Sequence, residues 1–310
     1  MIEPSNVLLT PQQALEAERV SIQQALDALR ACPPPGPLGR VSWRALHWVY
    51  QRRLRQIEAA WQRGAATEGT SVPEPAMVLV PGGEFMMGSD PQKDKEAMPS
   101  EQPQHLISIP DYQLARTPVT NEQYVAFVQA TGHRPPSHWE NSQPPRGEAN
   151  HPVIRVSWYD AADYCRWLSE ATGKPYRLPT EAEWEKAARG VRGSIYPWGD
   201  GWDAKRFNTK ESGRGGTTPV GSYPQGASPY GLTDMAGNVW EWTSSLSLDY
   251  PYGVGDGRRD PSSAEPRVLR GGSWLNLYDT ARSAYRRRYV PAYHSRLHGF
   301  RCCMSSEEAP

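Results

Sequence analysis

The stretch Gly237-Asn238-Val239-Trp240-Glu241-Trp242 decides the fold, as one of eight short blocks along residues 77–303. The other seven are Pro81-Gly-Gly-Glu-Phe-Met-Met-Gly88, Pro118-Val-Thr-Asn-Glu-Gln-Tyr124, His151-Pro-Val-Ile-Arg-Val-Ser-Trp158, Arg177-Leu-Pro-Thr-Glu-Ala-Glu-Trp184, Tyr196-Pro-Trp-Gly199, Arg270-Gly-Gly-Ser-Trp274 and Gly299-Phe-Arg-Cys302. The chain of 310 residues holds 30 Pro, 27 Gly and 12 Trp but only 4 Phe. We therefore expect many turns and a core built from Trp and Tyr, whose polar ends need hydrogen-bond partners.

Helix signals lie between the blocks. Helices are predicted over residues 120–131, 157–172 and 180–189. The first and the last begin with Thr and have Gln or Glu three residues later, which is the spacing of a capping box. Residues 77–88 predict a strand, a tight turn and a second strand. Beyond the last helix only short strand-like pieces occur, so the fold class is α+β with much irregular structure.

The N-terminal part differs from the rest of the chain in its sequence pattern. Residues 1–64 predict a helical pair, which the run Cys32-Pro33-Pro34-Pro35-Gly36 interrupts, and apolar residues recur in both helices at nearly helical spacing. Residues 65–76 are small and polar, which is typical of a linker. The main domain is then expected at residues 77–304, with a tail at residues 305–310. The helical pair would pack on the main domain or contact another protein.

Charge and hydropathy argue against two classes of protein. The chain has 34 basic and 34 acidic residues and a pI near 7.1, so no nucleic-acid partner is expected through bulk charge. No stretch approaches the roughly 20 apolar residues of a membrane span. The N-terminal sequence has no visible signal peptide, so the cytoplasm is the expected compartment, and surface display by a non-classical route stays open.

Together the eight blocks resemble those of the formylglycine-generating-enzyme branch, also called sulfatase-modifying factor, of the C-type-lectin fold. They occur in the order of that family and cover residues 77–303. The resemblance implies an α+β, C-type-lectin-like domain of the formylglycine-generating-enzyme type, preceded here by the helical pair. One fold carries many functions, so the site residues must be compared one at a time.

The oxidase of the resembled family uses two cysteines after the Gly-Gly-Ser turn to bind copper and handle its substrate thiol. Counted from Gly271-Gly272-Ser273, these positions are Asn276 and Ala281 here. Neither is a thiolate, and Cu(I) prefers soft sulfur ligands. The related iron-dependent sulfoxide synthases need a His-rich helical domain, whereas the N-terminal helices contain only His47. We therefore expect neither copper nor iron, and no catalysis.

The resemblance also bears on the cysteines. The positions of Cys165 and Cys302 are disulfide-bonded in the resembled family, which would tie the C-terminal strand to a helix. A chain without a visible signal peptide favours buried reduced thiols instead. Both states stay open.

The resemblance further implies a structural Ca²⁺ site, with carboxylates from Asp234 and Glu241 and backbone carbonyls from Gly237 and Val239. Oxygen ligands on a loop suit this ion. The alternative is that the two carboxylates cap turns or pair with nearby Arg. A second calcium site of the family would use Asn208 and Thr209, but it lacks its acid, because Gly221 stands in that position.

The segment from Leu275 to His298, LNLYDTARSAYRRRYVPAYHSRLH, has no helical or strand period. Its Tyr, Arg, Ser and His are typical of binding surfaces. It resembles the variable region, here about residues 275–300, of variable proteins of diversity-generating retroelements, which randomise adenines in AAY codons. Such codons cannot become Trp, Met, Gln, Lys or Glu. These five types make up 61 of the 310 residues, yet none occurs from Leu275 to Phe300.

We therefore predict a non-catalytic protein that binds a protein or other macromolecular ligand through a diversified surface. The alternatives are an enzyme of the formylglycine-generating or sulfoxide-synthase kind, and a non-diversified adaptor of the same fold. Arg282, Arg286, Arg288 and Arg301 are expected to be fixed framework. The predicted ligand contacts are Leu275, Asn276, Leu277, Tyr278, Asp279, Tyr285, Arg287, Tyr289, Val290, Tyr293, His294, Ser295, Leu297 and His298.

Overall fold

The computed structural model describes residues 11–31, 51, 54, 72–253 and 255–305. The chain divides into two compact units, one of Met1–Ser71 with Val128–Arg134 and one of Val72–Phe127 with Pro135–Pro310. The helices are α1 (Pro11–Ala31), α2 (Asn121–Thr131), α3 (Trp158–Thr172) and α4 (Glu181–Arg189). The strands are β1 (Met77–Val80), β2 (Gly83–Met87), β3 (His105–Ile109), β4 (Tyr112–Ala115), β5 (Tyr176–Arg177), β6 (Trp240–Leu246), β7 (Arg267–Arg270), β8 (Arg287–Tyr289), β9 (His298–Gly299) and β10 (Cys303–Ser305).

The first helix of the predicted N-terminal pair is α1. Ile22 and Leu26 are buried and pack with Leu54. Most of the second predicted helix lies outside the described residues, although Gln51 and Leu54 are themselves helical. Most of the predicted linker and tail also lies outside them, so the domain boundaries stay predictions. No helix of the described residues has the length and apolar character that a membrane crossing requires.

The described residues of the larger unit form three sheets, with strand orders β1-β4-β10-β5, β2-β3 and β8-β7-β6-β9. The strand, turn and strand predicted for residues 77–88 are confirmed as β1 and β2, but the two strands enter different sheets. The turn explains the separation, because Gly83 has φ +94° and a Cβ on Gly82 would lie 2.7 Å from the backbone nitrogen of Asp111. The chain turns sharply here, so β1 pairs with β4 and β2 with β3.

All three helices predicted in the main domain are present. Ser157 caps α3 and Thr180 caps α4, each in a reciprocal capping box with the acid three residues later. The predicted pairing at the start of α2 is also confirmed, because the Gln123 side chain accepts from the Thr120 N–H at 3.0 Å and the Gln123 N–H donates to the Thr120 hydroxyl at 3.3 Å. The capping hydrogen bonds therefore determine where these helices begin.

The core combines Trp rings with buried ion pairs. The indole N–H groups of Trp158 and Trp242 donate to backbone carbonyls, and that of Trp184 donates to Glu241 at 2.8 Å. Every residue of α4 is buried. The fully buried Arg270 reaches Glu185 at 2.8 Å, and similar pairs join α4 to the strands around it. The expected Trp-rich core is therefore confirmed. These three indole N–H groups have partners, whereas those of the buried Trp139 and Trp274 have none among the described residues.

Candidate ligand-binding face

The backbone of residues 275–298 is held by groups outside this segment. Arg270, at the end of β7, donates to the carbonyl of Ser283 at 3.1 Å. Four other carbonyls accept backbone N–H groups: Asn276 from Lys210 at 2.9 Å, Pro291 from Trp158 at 3.0 Å, Ser295 from Arg155 at 2.9 Å and Leu297 from Trp240 at 2.7 Å. These bonds use main-chain acceptors of the segment, so they do not depend on which side chains the segment carries.

The predicted contact residues differ widely in exposure. Five are exposed, namely Leu275, Leu277, Val290, Tyr293 and His294. Eight are partly buried, namely Asn276, Tyr278, Asp279, Tyr285, Arg287, Tyr289, Ser295 and Leu297. His298 alone of the predicted set is buried. We call the five exposed residues, together with Arg287, Arg288 and Tyr289, the C-terminal face.

Trp240, at the start of β6, connects the start of the segment to its middle. Its indole N–H donates to the Asn276 side-chain oxygen at 2.8 Å, and its ring lies 5.8 Å from that of Tyr285. The guanidinium carbon of Arg287 lies 5.3 Å from the centre of the same ring. The start and the middle of the segment therefore meet at one buried aromatic side chain.

The exposed Tyr293 belongs to an aromatic stack. Its ring centre lies 4.4 Å from that of Tyr289, with 14° between the planes. The ring of His298 lies 5.1 Å from Tyr289 and 5.4 Å from Tyr293. The stack makes a rigid apolar surface with hydroxyl groups, which is the kind of anchor that binding interfaces use.

A second aromatic contact lies near Leu277 and was not predicted. The half-exposed Trp202 lies 5.4 Å from Tyr278, ring centre to ring centre. Tyr278 itself packs against Phe207 and Ala281. Trp202 lies outside the segment that drew attention in the sequence, and nothing in its local pattern marks it as a surface residue.

Three predicted assignments need correction. His298 is only 2% exposed, because it lies in β9 beside Trp240 with its ring against Trp242. It therefore packs under the rings of Tyr289 and Tyr293 and is not accessible to a ligand. Asn276 accepts hydrogen bonds from Trp240 and from the Ser273 hydroxyl at 2.5 Å, which ties its side chain into the scaffold. Arg288, predicted as framework, is exposed.

His298 gives a testable pH dependence. Burial, followed by the charges of Arg287 and His294, lowers its pKa to about 3. The unfolded imidazole binds a proton near pH 6.5, so this group destabilises the fold progressively as the pH falls from about 6.5 towards about 3. We expect His298→Gln to lose less stability than the wild type between about pH 7 and about pH 5, measured as Tm at each pH. Parallel curves for the two proteins would contradict this prediction.

The positions of the resembled oxidase cysteines hold no reactive group. Asn276 is bonded as described above, and Ala281 is fully buried. The described cysteines, Cys165, Cys302 and Cys303, are buried thiols, and burial raises the pKa of Cys302 well above its ordinary value. The Cys165 and Cys302 sulfurs lie 3.9 Å apart as free thiols. The structure thus brings the predicted pair together without a bond, and the disulfide stays a prediction.

Both carboxylates predicted to bind calcium already have hydrogen-bond partners, and the calcium site stays a prediction. Glu241 accepts both Nε and Nη2 of Arg301, at 2.6 and 2.7 Å, as well as the Trp184 indole N–H. Its charge is therefore compensated by a guanidinium. Asp234 accepts the Gly221 N–H at 2.6 Å and is buried, and this burial raises its pKa. Among the described residues there is no cluster of three or more His, Cys, Asp or Glu suited to a metal.

Asp234 nevertheless offers a direct test of the calcium prediction. A carboxyl whose folded pKa is raised contributes stability at low pH that is lost as the pH rises through that pKa. Without metal at about pH 7, Asp234→Asn should therefore raise Tm. Calcium binding at this loop would reverse the order, because adding Ca²⁺ would raise the Tm of the wild type only. Thermal unfolding of both proteins in EGTA and in Ca²⁺ distinguishes the two results.

Comparison with known proteins agrees with this architecture. Residues 62–306 match the model of the sulfatase-modifying factor enzyme 1-like domain. The formylglycine-generating enzyme of Streptomyces coelicolor is 34% identical over 74% of this chain and 89% of its own length. The inactive C-alpha-formylglycine-generating enzyme 2 of Mus musculus is 32% identical over 75% of this chain and 87% of its own.

A longer relative and a solved structure extend the comparison. The serine/threonine-protein kinase Pkn1 of Chlamydia trachomatis is 39% identical over 73% of this chain, which spans only 38% of that relative's length. Treponema denticola variable protein 1 superposes with a TM-score of 0.63 at 25% identity, covering 77% of this chain and 98% of that one. The predicted C-type-lectin-like fold of the formylglycine-generating-enzyme type is thereby confirmed. The similar proteins include one named as an enzyme, one named as an inactive enzyme and one named as a variable protein.

Proposed function

We propose that this chain, which belongs to the family of sulfatase-modifying factor enzyme 1-like domains, is a non-catalytic ligand-binding protein. The fold of this family carries more than one kind of function. Its binding surface is the C-terminal face. The surface is diversified by adenine-directed mutagenic retrohoming, and its ligand is a protein or another macromolecule.

One observation carries the proposal. The backbone of residues 275–298 is fixed by hydrogen bonds to its carbonyls, while Leu275, Leu277, Val290 and Tyr293 are exposed. Large exposed apolar side chains grouped in one segment are typical of an interaction surface. A backbone held without help from those side chains lets them change while the fold persists, which is what diversification needs.

Two further observations support diversification. The five residue types that an AAY codon cannot reach are absent from Leu275 to Phe300. The fold is also similar to that of a protein named variable protein 1. Neither depends on the geometry of the C-terminal face, so they are independent support.

The decisive experiment is to sequence the surrounding DNA. We expect a near-copy of the DNA that encodes residues 275–300, differing mainly at adenines, beside a reverse-transcriptase gene. A locus without such a copy would remove diversification and leave a fixed adaptor of the same fold.

Similarity to named enzymes favours the enzyme hypothesis, with 34% identity to a formylglycine-generating enzyme and 33% identity to a hercynine oxygenase of Mycolicibacterium thermoresistibile over 90% of this chain. Against it, Asn276 and Ala281 provide neither a nucleophile nor a soft metal ligand where the resembled oxidase has cysteines. We expect no O₂ consumption with a cysteine-containing peptide after incubation with Cu(I) or Fe(II). Turnover with either metal would establish the enzyme reading instead.

A further inference from the structure

Arg287 is held in place by aromatic side chains. Its guanidinium carbon lies 5.3 Å from the centre of the Trp240 ring and 5.2 Å from that of Tyr289. Its Nη2 donates to the Tyr289 hydroxyl at 2.8 Å. The buried Trp240 gives the guanidinium one fixed aromatic neighbour. A guanidinium has five N–H donors, so Arg287 is positioned with donors left for a ligand.

Five arginines of this region fall into two groups. Arg282, Arg286 and Arg301 form buried ion pairs with carboxylates, at 2.7, 3.0 and 2.6 Å. In the part of the chain that the structure describes, no Asp or Glu forms an ion pair with Arg287 or Arg288. The fold therefore supplies carboxylates to Arg282, Arg286 and Arg301. The positive charges of Arg287 and Arg288 have no carboxylate partner among the described residues.

Arg287 and Arg288 lie in β8, at the edge of a sheet. Leu269 is opposite Arg287, and Val268 is opposite Arg288. The described residues provide β8 with a neighbouring strand on the β7 side only. Successive side chains of a strand point to opposite faces, so the two guanidinium groups lie on either side of this edge. The unpaired main-chain groups of an edge strand can bind an extended chain.

We propose that the C-terminal face binds an acidic, extended polypeptide segment that pairs with the edge of β8 and places carboxylates on Arg287 and Arg288. This inference rests on the proposed function and names the class of its ligand. Guanidinium and carboxylate groups form strong paired hydrogen bonds. The exposed Val290 and Tyr293, close to the end of β8, contact apolar side chains of the same ligand.

A polypeptide agrees with these features better than a nucleic acid does. Main-chain pairing with β8 requires peptide N–H and C=O groups. The net charge of the chain is zero, so it lacks the bulk attraction on which phosphate-backbone binding depends. The exposed Val290 and Tyr293, close to the end of β8, also favour a partner with apolar groups.

The experiment selects binders from a random dodecapeptide library displayed on phage, using the full chain as bait. We expect Asp and Glu to be enriched about twofold or more over the unselected library. The best peptide is then synthesised with a fluorophore, and its affinity is measured by fluorescence anisotropy. Replacing its acids by Gln, or replacing Arg287 by Gln in the protein, should weaken binding about tenfold or more. Arg214→Gln, at an exposed site outside the segment, is the matched control.

Three results would overturn the inference. The selected peptides could lack acidic residues and still lose binding to the variant Val290→Ser/Tyr293→Ser. Ligand binding at the C-terminal face would then stand, but the ligand would not be an acidic peptide. Unchanged affinity after N-methylation of alternate peptide amides would remove pairing with β8. Tight binding of labelled oligothymidylate, without enrichment of any peptide, would assign the cations to nucleic acid.

Discussion

Replacing Arg301 by Met is expected to lower the free energy of unfolding by about 3–5 kcal/mol, because it leaves a buried carboxylate without its cation. Arg301 and Glu241 are both fully buried and share two hydrogen bonds. Arg301 also donates to the carbonyls of Ala115, Arg116 and Thr233, which would lose a donor. In a unit of this size the loss corresponds to a Tm lower by roughly 10 °C. Denaturant unfolding followed by Trp fluorescence measures it.

Two controls separate the lost charge pair from a general effect of removing an arginine. Arg288→Met, at an exposed site, should change stability by about 0.5 kcal/mol or less. The double variant Arg301→Met/Glu241→Met should recover part of the loss, because it removes the unpaired charge. If the single variant were within about 1 kcal/mol of the wild type, the pair would not hold the C-terminal strand to β6 as the structure indicates.

The local structure could be predicted from the sequence, whereas the pairing of strands could not. The starts of α3 and α4 follow from Ser157 and Thr180, which act within one helical turn. The separation of β1 from β2 depends on how closely Gly82 approaches Asp111, and no local pattern shows this contact. Short-range chemistry is visible in a sequence, and long-range contact is not.

The same limit applies to the site. The segment could be identified because its composition is unusual, but composition does not say which side chains point inward. His298 is buried because β9 lies beside Trp240, and the partner of Glu241 lies 60 residues away. The ion pair of Glu241 with Arg301 and the burial of His298 both follow from pairings across the chain. The exposure of Trp202 also follows from tertiary structure.

Exchanging the five exposed residues of the predicted contact set for Ser is expected to abolish binding and preserve the fold. These are Leu275, Leu277, Val290, Tyr293 and His294. Aromatic and large apolar side chains dominate the energy of most interfaces, so affinity for peptides selected on the wild type should fall about 100-fold or more. Their exposure means that little buried area is lost, so Tm should fall by no more than roughly 5 °C. Anisotropy and thermal unfolding give the two values.

The matched control replaces five exposed apolar residues elsewhere, Leu79, Met98, Leu106, Val191 and Leu248. It removes a similar number of exposed apolar groups, so a general change in solubility or surface hydrophobicity would affect both proteins alike. We expect the control to bind as the wild type does, because main-chain bonds from Lys210, Trp158, Arg155 and Trp240 hold the segment in both. Collapse of the first variant but not of the control would mean that the five residues stabilise the segment. The proposal that they are free to vary would then fail.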